Sequence, residues 1–158
     1  MARLRIAWLI PLVFPLAAGW SVPSSFEGRL KSVASGDTVT VLVRGRSVRV
    51  RLADARSPRA DQPYFRSAKR FTYDLAFDKT VTVEVVRQER NGDFIGRVRL
   101  PGGRSLSEAL VKEGWAWWDR RAAPDDRRLE RLERKAREAK RGLWEDDRPV
   151  APWVVPKK

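Results

Sequence analysis

Between Val48 and Tyr64 the chain reads VRVRLADARSPRADQPY, a strand-like run that breaks into a loop crowded with arginine and aspartate. Arg51, Arg56 and Arg59 bring planar guanidinium forks, the side chains best shaped to hold phosphate or carboxylate oxygens. Asp54 and Asp61 bring carboxylates, which ligate hard cations or move a proton. Such a loop reads as catalytic. The 158 residues contain no His and no Cys, which excludes imidazole acid/base catalysis, thiol nucleophiles, disulfides and nitrogen- or sulfur-bound zinc. Any metal here must be held by oxygen. With 33 Lys plus Arg against 20 Asp plus Glu, a net charge of +13, the chain is suited to polyanionic partners: nucleic acid, anionic lipid or acidic glycan. No protein partner is legible.

The elements that must carry this loop follow from the apolar pattern. The length suits one domain with a real core. Residues 1–19 read as an export signal: Arg3 and Arg5, then the apolar run Ile6 to Ala18, then small residues at Leu16-Ala17-Ala18-Gly19. The expected location is periplasmic or secreted, or membrane-anchored if the signal is not cleaved. Removing it takes away only two basic residues, so the domain stays strongly basic. A short strand is expected from Phe26 to Val33, and Ser35-Gly36-Asp37-Thr38 reads as a turn that uses glycine's backbone freedom. Val39, Val41 and Val43, then Val48, Val50 and Leu52, alternate with polar residues on either side of Arg44-Gly45-Arg46 and predict a hairpin. Arg49 and Arg51 leave its apolar face. Tyr64, Ala68, Phe71 and Leu75 fall at helical spacing.

Val81 to Val86 and Phe94 to Leu100 predict two more strands about the turn Arg90-Asn91-Gly92-Asp93. Ser105 is a good N-cap, with Glu108 placed for a capping box, for a helix that ends at Gly114. A last helix is expected from Pro124 to Arg141, with Leu129, Leu132, Ala136 and Ala139 as its apolar stripe and Gly142 as its stop. Its charged residues suggest a solvated face with pairs such as Glu130 with Arg134 and Glu133 with Arg137. The tail RPVAPWVVPKK is expected to be extended, with residues 154–158 as a basic end. The pattern fits an α+β, mainly β fold: a five-stranded barrel of OB type with three helices, with a sandwich or an open sheet as alternatives on periodicity alone.

Several pieces, in this order, resemble the staphylococcal nuclease (thermonuclease) family: SGDTV (Ser35 to Val39), VRLADARSPRADQP (Val50 to Pro63), GDFIGRV (Gly92 to Val98), SLSEALVKEGWAW (Ser105 to Trp117), EAKRGLW (Glu138 to Trp144) and PVAPW (Pro149 to Trp153). The resemblance covers residues 26–153 and implies the OB-type barrel with three helices. It also implies hydrolysis of DNA and RNA phosphodiesters with calcium, Asp37 as a calcium ligand, and Arg51 and Arg97 as phosphate clamps. Cations fixed in advance around phosphoryl oxygens are what such a reaction requires.

The chain departs from the family where the family carries two acids, one for calcium and one for the attacking water. Here those positions hold Arg56 and Arg59. A guanidinium neither ligates calcium nor gives up a proton, so neither role survives. The sequence therefore describes an exported domain that binds nucleic-acid phosphates through Arg51, Arg56, Arg59 and Arg97, with hydrolysis weak or lost. An active metal-dependent endonuclease using Asp54 or Asp61 instead, and a non-enzymatic envelope domain meeting anionic lipid or glycan, are the alternatives. The family's nucleotide-contacting tyrosines would follow the tryptophan run, where this chain reads Asp119-Arg120-Arg121-Ala122. Trp115, Trp117 and Trp144 flank helix ends, and core packing is preferred over base stacking for them.

Overall fold

Inward-facing valines build one wall after another. In the computed structural model, which describes residues 24–154, the strands are β1 (Ser25–Ser35), β2 (Thr38–Val43), β3 (Arg46–Leu52), β5 (Thr80–Gln88) and β6 (Phe94–Arg99), and they close into a barrel in the order β1-β2-β3-β6-β5. Val39, Val41, Val50, Leu52, Val81, Val83 and Val98 are each at most 1% exposed and fill its interior. Each such burial is worth about 1.5–3 kcal/mol against exposure. Neighbouring strands run antiparallel except β3 with β6, which pair in parallel from Val50 opposite Phe94 to Leu52 opposite Gly96. The β2–β3 hairpin turns through Arg44 and Gly45, both at positive φ (48° and 79°), the handedness that suits the strand twist.

Three helices close the barrel: α1 (Phe65–Ala76), α2 (Leu106–Lys112) and α3 (Arg127–Glu138). Helix α1 places Ala68, Thr72 and Ala76 inward, with Phe71 and Leu75 packed on the core. Tyr64 instead stands ahead of the helix at φ 64° and packs with Trp117 and Trp144 in a second cluster. A second, two-stranded sheet joins β4 (Ala55–Arg56) to β7 (Trp117–Trp118), with Ala55 opposite Trp118 and Arg56 opposite Trp117. That pairing brings the loop after β3 against the tryptophan run. The fold is the α+β barrel the sequence implies; no helix among the described residues is long and apolar enough to cross a membrane. The expected signal segment and the last basic residues lie outside the described residues.

Several local expectations are corrected. Gly36 is not at positive φ; it is small because an added Cβ would lie 2.8 Å from Ser57 Cβ and 3.0 Å from Ala68 Cβ. Close approach, not backbone freedom, requires it. Ser105 caps α2 by accepting from the Glu108 amide, but the Glu108 carboxylate turns away to Arg128 at 2.8 Å, so the capping box is only half formed. Helix α3 is shorter than its charge pattern, starting behind Asp126, which accepts from the Arg128 and Leu129 amides. Ala139 is exposed, Glu133 is 3% exposed, and Glu130 pairs with Arg127 rather than Arg134. Glu133 does meet Arg137, at 3.2 Å.

Gly142 does not end α3. It opens a short 3₁₀ helix (Gly142–Glu145) and lies against Gly114, whose carbonyl accepts from the Leu143 amide at 2.8 Å. Among its described residues the tail is not extended either. It turns at residues 151–154, where the Val154 amide donates to Ala151, and folds back so that Gln62 Nε2 donates to the Val150 carbonyl at 2.8 Å. The preference for packing holds for Trp117 and Trp144, each no more than 7% exposed, and Trp115 is half-buried against the main core.

Candidate functional site

A groove of about 1440 Å³ runs between the β1–β2 turn, the outer side of β3, the loop after β4, the segment Trp117–Ala122 and the folded-back tail. It is larger than the pockets that enclose drug-sized molecules, and it suits an extended ligand. Seven arginines and three carboxylates line it, so it keeps a clear surplus of positive charge.

Asp37 closes the β1–β2 turn at 8% exposure. Its Oδ1 accepts from Ser35 Oγ at 2.7 Å and from Ser57 Oγ at 2.9 Å, with Thr38 Oγ1 at 3.5 Å. Its amide donates back to Ser57 Oγ at 3.1 Å, so turn and loop are locked together where Gly36 lets them touch. Arg51 lies opposite Thr38 on β3. Its Nη2 donates to Glu89 Oε1 at 3.0 Å, and the same oxygen is 3.3 Å from Arg87 Nη2. Arg51 Nε is buried and has no hydrogen-bond partner. A buried donor left so costs about 1–3 kcal/mol, unless a ligand supplies the acceptor.

Arg56 is held on three sides. It donates through Nη1 to the Leu52 carbonyl and to Ala55 O at 3.3 Å, and its Nη2 lies 3.2 Å from Asp119 Oδ2. This pair is largely shielded, with side chains 21% and 16% exposed. Arg59 sits with its Nε 3.7 Å from Asp61 Oδ1 and its amide bonded to Gln62 Oε1. Asp37, Arg51, Arg56 and Arg59 therefore meet in one groove.

Arg97 does not line it. Its Nε is 3.5 Å from Asp54 Oδ2, and Asp54, 5% exposed, also accepts from Ser107 Oγ. Opposite Arg97 on β5 stands Glu84. Its carboxyl is held below the usual carboxylate range, first by the hydrogen bond from Arg99 and then by the Arg99 and Arg97 charges, against some desolvation. Asp54 is thus committed to Arg97 and Ser107, away from the groove.

Sequence reasoning missed Ser57, Asp119, Glu133 and Trp153 as groove residues. Ser57 sat in the quoted loop, and Asp119 in the segment noted for its absent tyrosines. Trp153, 50% exposed, meets the edge of Trp117 at 6.3 Å and 71° because the tail folds back. No local signal pointed to that.

The donor set does not fit calcium. That ion takes six to eight oxygens, several of them carboxylate. Asp37 Oδ1 is already engaged by two hydroxyls, Asp119 is paired with Arg56, and Glu133 with Arg120 and Arg137. Among the described residues, no three acidic side chains group as a metal site would need.

A five-stranded barrel with an arginine-lined groove at the β1–β2 turn defines a domain of OB type. A family model described as staphylococcal nuclease homologue matches residues 49–146. An uncharacterized endonuclease of Escherichia coli O157:H7 is 34% identical over 145 residues, covering 92% of this chain and 94% of its own length. A micrococcal nuclease of Shigella flexneri is 34% identical over 144 residues, covering 84% and 83%. A staphylococcal-like nuclease of Arabidopsis thaliana is 30% identical over 115 residues, 70% of this chain and 34% of that one. The chain belongs to the staphylococcal nuclease family.

Proposed function

We propose that this domain is exported, binds nucleic-acid phosphates in the arginine-lined groove, and hydrolyses phosphodiesters weakly or not at all. The observation that carries the binding half is Arg51 Nε, a buried donor without an acceptor on the wall of a groove with surplus positive charge. The Arg51 side chain is 39% exposed, so a turn of it toward the groove lets a phosphate oxygen supply that acceptor in exchange for Glu89. Arg56 and Arg59 extend the phosphate surface. Arg97 reaches phosphate only by leaving Asp54, an exchange open to its half-exposed side chain.

Loss of hydrolysis is supported by the donor set. Arg56 and Arg59 stand where the family's acids would be, and calcium has no cage among Asp37, Asp119 and Glu133. Of the three carboxylates lining the groove, Asp119 and Glu133 are paired with arginine, and Asp37 Oδ1 is engaged by the Ser35 and Ser57 hydroxyls. Export is supported by the charged, apolar and small-residue sequence of residues 1–19.

The names of the E. coli and Shigella relatives favour a second reading, retained endonuclease activity. It requires Asp54 or Asp61 to leave Arg97 or Arg59. Incubation with single-stranded DNA and titrated calcium separates the two. The binding reading expects a complex whose affinity falls with added salt, and no calcium-dependent cleavage. Calcium-dependent cleavage that disappears in Asp37→Ala overturns it in favour of the enzyme.

A further inference from the structure

Glu133 sits 3% exposed in a helix whose other charged side chains face solvent. Its Oε1 accepts from the Trp118 amide at 3.2 Å. Its Oε2 gathers two arginines: Arg120 Nη2 at 3.3 Å and Arg137 Nη2 at 3.2 Å. We propose that Arg120 and Arg137 form a second phosphate subsite on the α3 side of the groove, set in place by Glu133. This rests on the phosphate-binding reading of the groove and adds a distinct contact to it.

Three features support the assignment. Both guanidinium groups touch the same oxygen, so their nearest nitrogens lie within about two hydrogen-bond lengths of each other, a span that one phosphate can bridge. Two positive charges against one negative leave the unit short of one negative charge, and a phosphodiester supplies it. Each guanidinium also rests over an indole face, Arg120 at 5.1 Å from Trp118 and Arg137 at 4.1 Å from Trp144. A guanidinium held over a buried ring loses rotational freedom while its other donors stay open to the groove.

Burial of the carboxylate explains why the cost of holding two like charges together is tolerable. Glu133 is tied to the β7 backbone, so it fixes both arginines relative to the barrel rather than to the helix alone. Asp119 supports the arrangement from the other side: its Oδ1 accepts from the Arg121 and Ala122 amides and shapes the loop that carries Arg120. Arg120 and Arg137 both line the groove, with side chains 65% and 49% exposed, so a ligand meets them without displacing packed residues.

The test is anisotropy of a fluorescein-labelled oligothymidylate with the mature domain, in chelator, across a salt series. The parent is expected to bind with an affinity that falls with salt. The double variant Arg120→Gln with Arg137→Gln is expected to lower the slope of log affinity against log salt by about 0.7, the loss of one phosphate contact on a single strand. Arg70→Gln, on the exposed face of α1 and paired with Asp74, is expected to keep the parent slope. An unchanged slope in the double variant overturns the subsite and leaves the groove reading standing. A parent without salt dependence overturns the groove reading, and the subsite with it.

Glu133→Gln tests the positioning role. It keeps an acceptor for the Trp118 amide and raises the net charge by one, so bulk charge predicts tighter binding. Positioning predicts binding about two- to tenfold weaker, because two long side chains must then be ordered by the ligand. Tighter binding overturns Glu133 as the positioning residue. A melting scan accompanies each variant, and the arginine substitutions, at exposed positions, carry the subsite test if Glu133→Gln folds poorly.

Discussion

The double change Arg56→Asp with Arg59→Glu supplies the two acids that the proposed reading takes to be missing, and the contacts of Arg56 set what that costs. Arg56 is shielded, paired with Asp119 at 3.2 Å and bonded to two carbonyls. Removing one partner of a buried pair costs about 3–5 kcal/mol, and partial exposure here lowers that to roughly 2–3. The new carboxylate then faces Asp119 with Asp37 nearby in the same groove, adding repulsion at low salt. Without metal the variant is therefore expected to melt well below the parent, by about 10 °C for a domain of this size. Those same carboxylates are what calcium recruits.

At calcium a hundred times its dissociation constant, binding restores about 2.7 kcal/mol, nearly the whole deficit. The assay is a thermal melt with calcium titrated against magnesium and against chelator, checked by calorimetric titration. The variant is expected to regain most of its lost melting temperature with calcium, and the parent to show no calcium-dependent shift. A variant indifferent to calcium would mean that the loop no longer holds the family's geometry. A parent shifted by calcium as strongly as the variant would refute the claim that Arg56 and Arg59 abolished the site.

Other perturbations follow from the same contacts. Arg51→Met removes the unpartnered buried Nε together with a half-exposed ion pair worth about 1 kcal/mol or less. Melting temperature should hold or rise while oligonucleotide affinity drops about tenfold; a variant that is destabilised and still binds fully would contradict Arg51's place at the phosphate. Asp78, bonded by Arg29 and Lys31, has its carboxyl lowered from 3.8 to about 2, with the Arg29 hydrogen bond the largest cause. Its stabilisation is complete above pH 3.8 and disappears as pH falls through 2, so Asp78→Asn should weaken the domain at neutral pH and flatten the acid limb of its pH–stability curve. An unaltered limb rules out this linkage. Gly114→Ala puts a Cβ 2.1 Å from the Arg141 carbonyl at φ 74°. Urea unfolding should show a loss of about 3 kcal/mol or more, since the strain of the left-handed backbone adds to a clash between two backbones.

The barrel was legible because alternation is a local property. Val39, Val41, Val50 and Leu52 announce an inward face wherever they pair, and Ser105 or Arg44-Gly45 needs only its immediate neighbours to cap a helix or turn a hairpin. What Arg56 and Arg59 can do was equally plain, since residue type alone decides that a guanidinium cannot ligate a cation. What each charge meets was decided by the closed barrel and the β4–β7 pairing. They bring Arg56 to Asp119 across a long stretch of chain, draw Arg97 to Asp54 and out of the groove, and bury Glu133 under Trp118 in a helix whose pattern reads as solvated. Charged side chains are long and polar, so periodicity records that they can face water but not which partner packing assigns to them. For that reason Asp37, Arg51, Arg56 and Arg59 could be picked out from the sequence together with Arg97, which the fold then sets apart from them, while the second pair of arginines and the carboxylate that orders them belong to the tertiary structure.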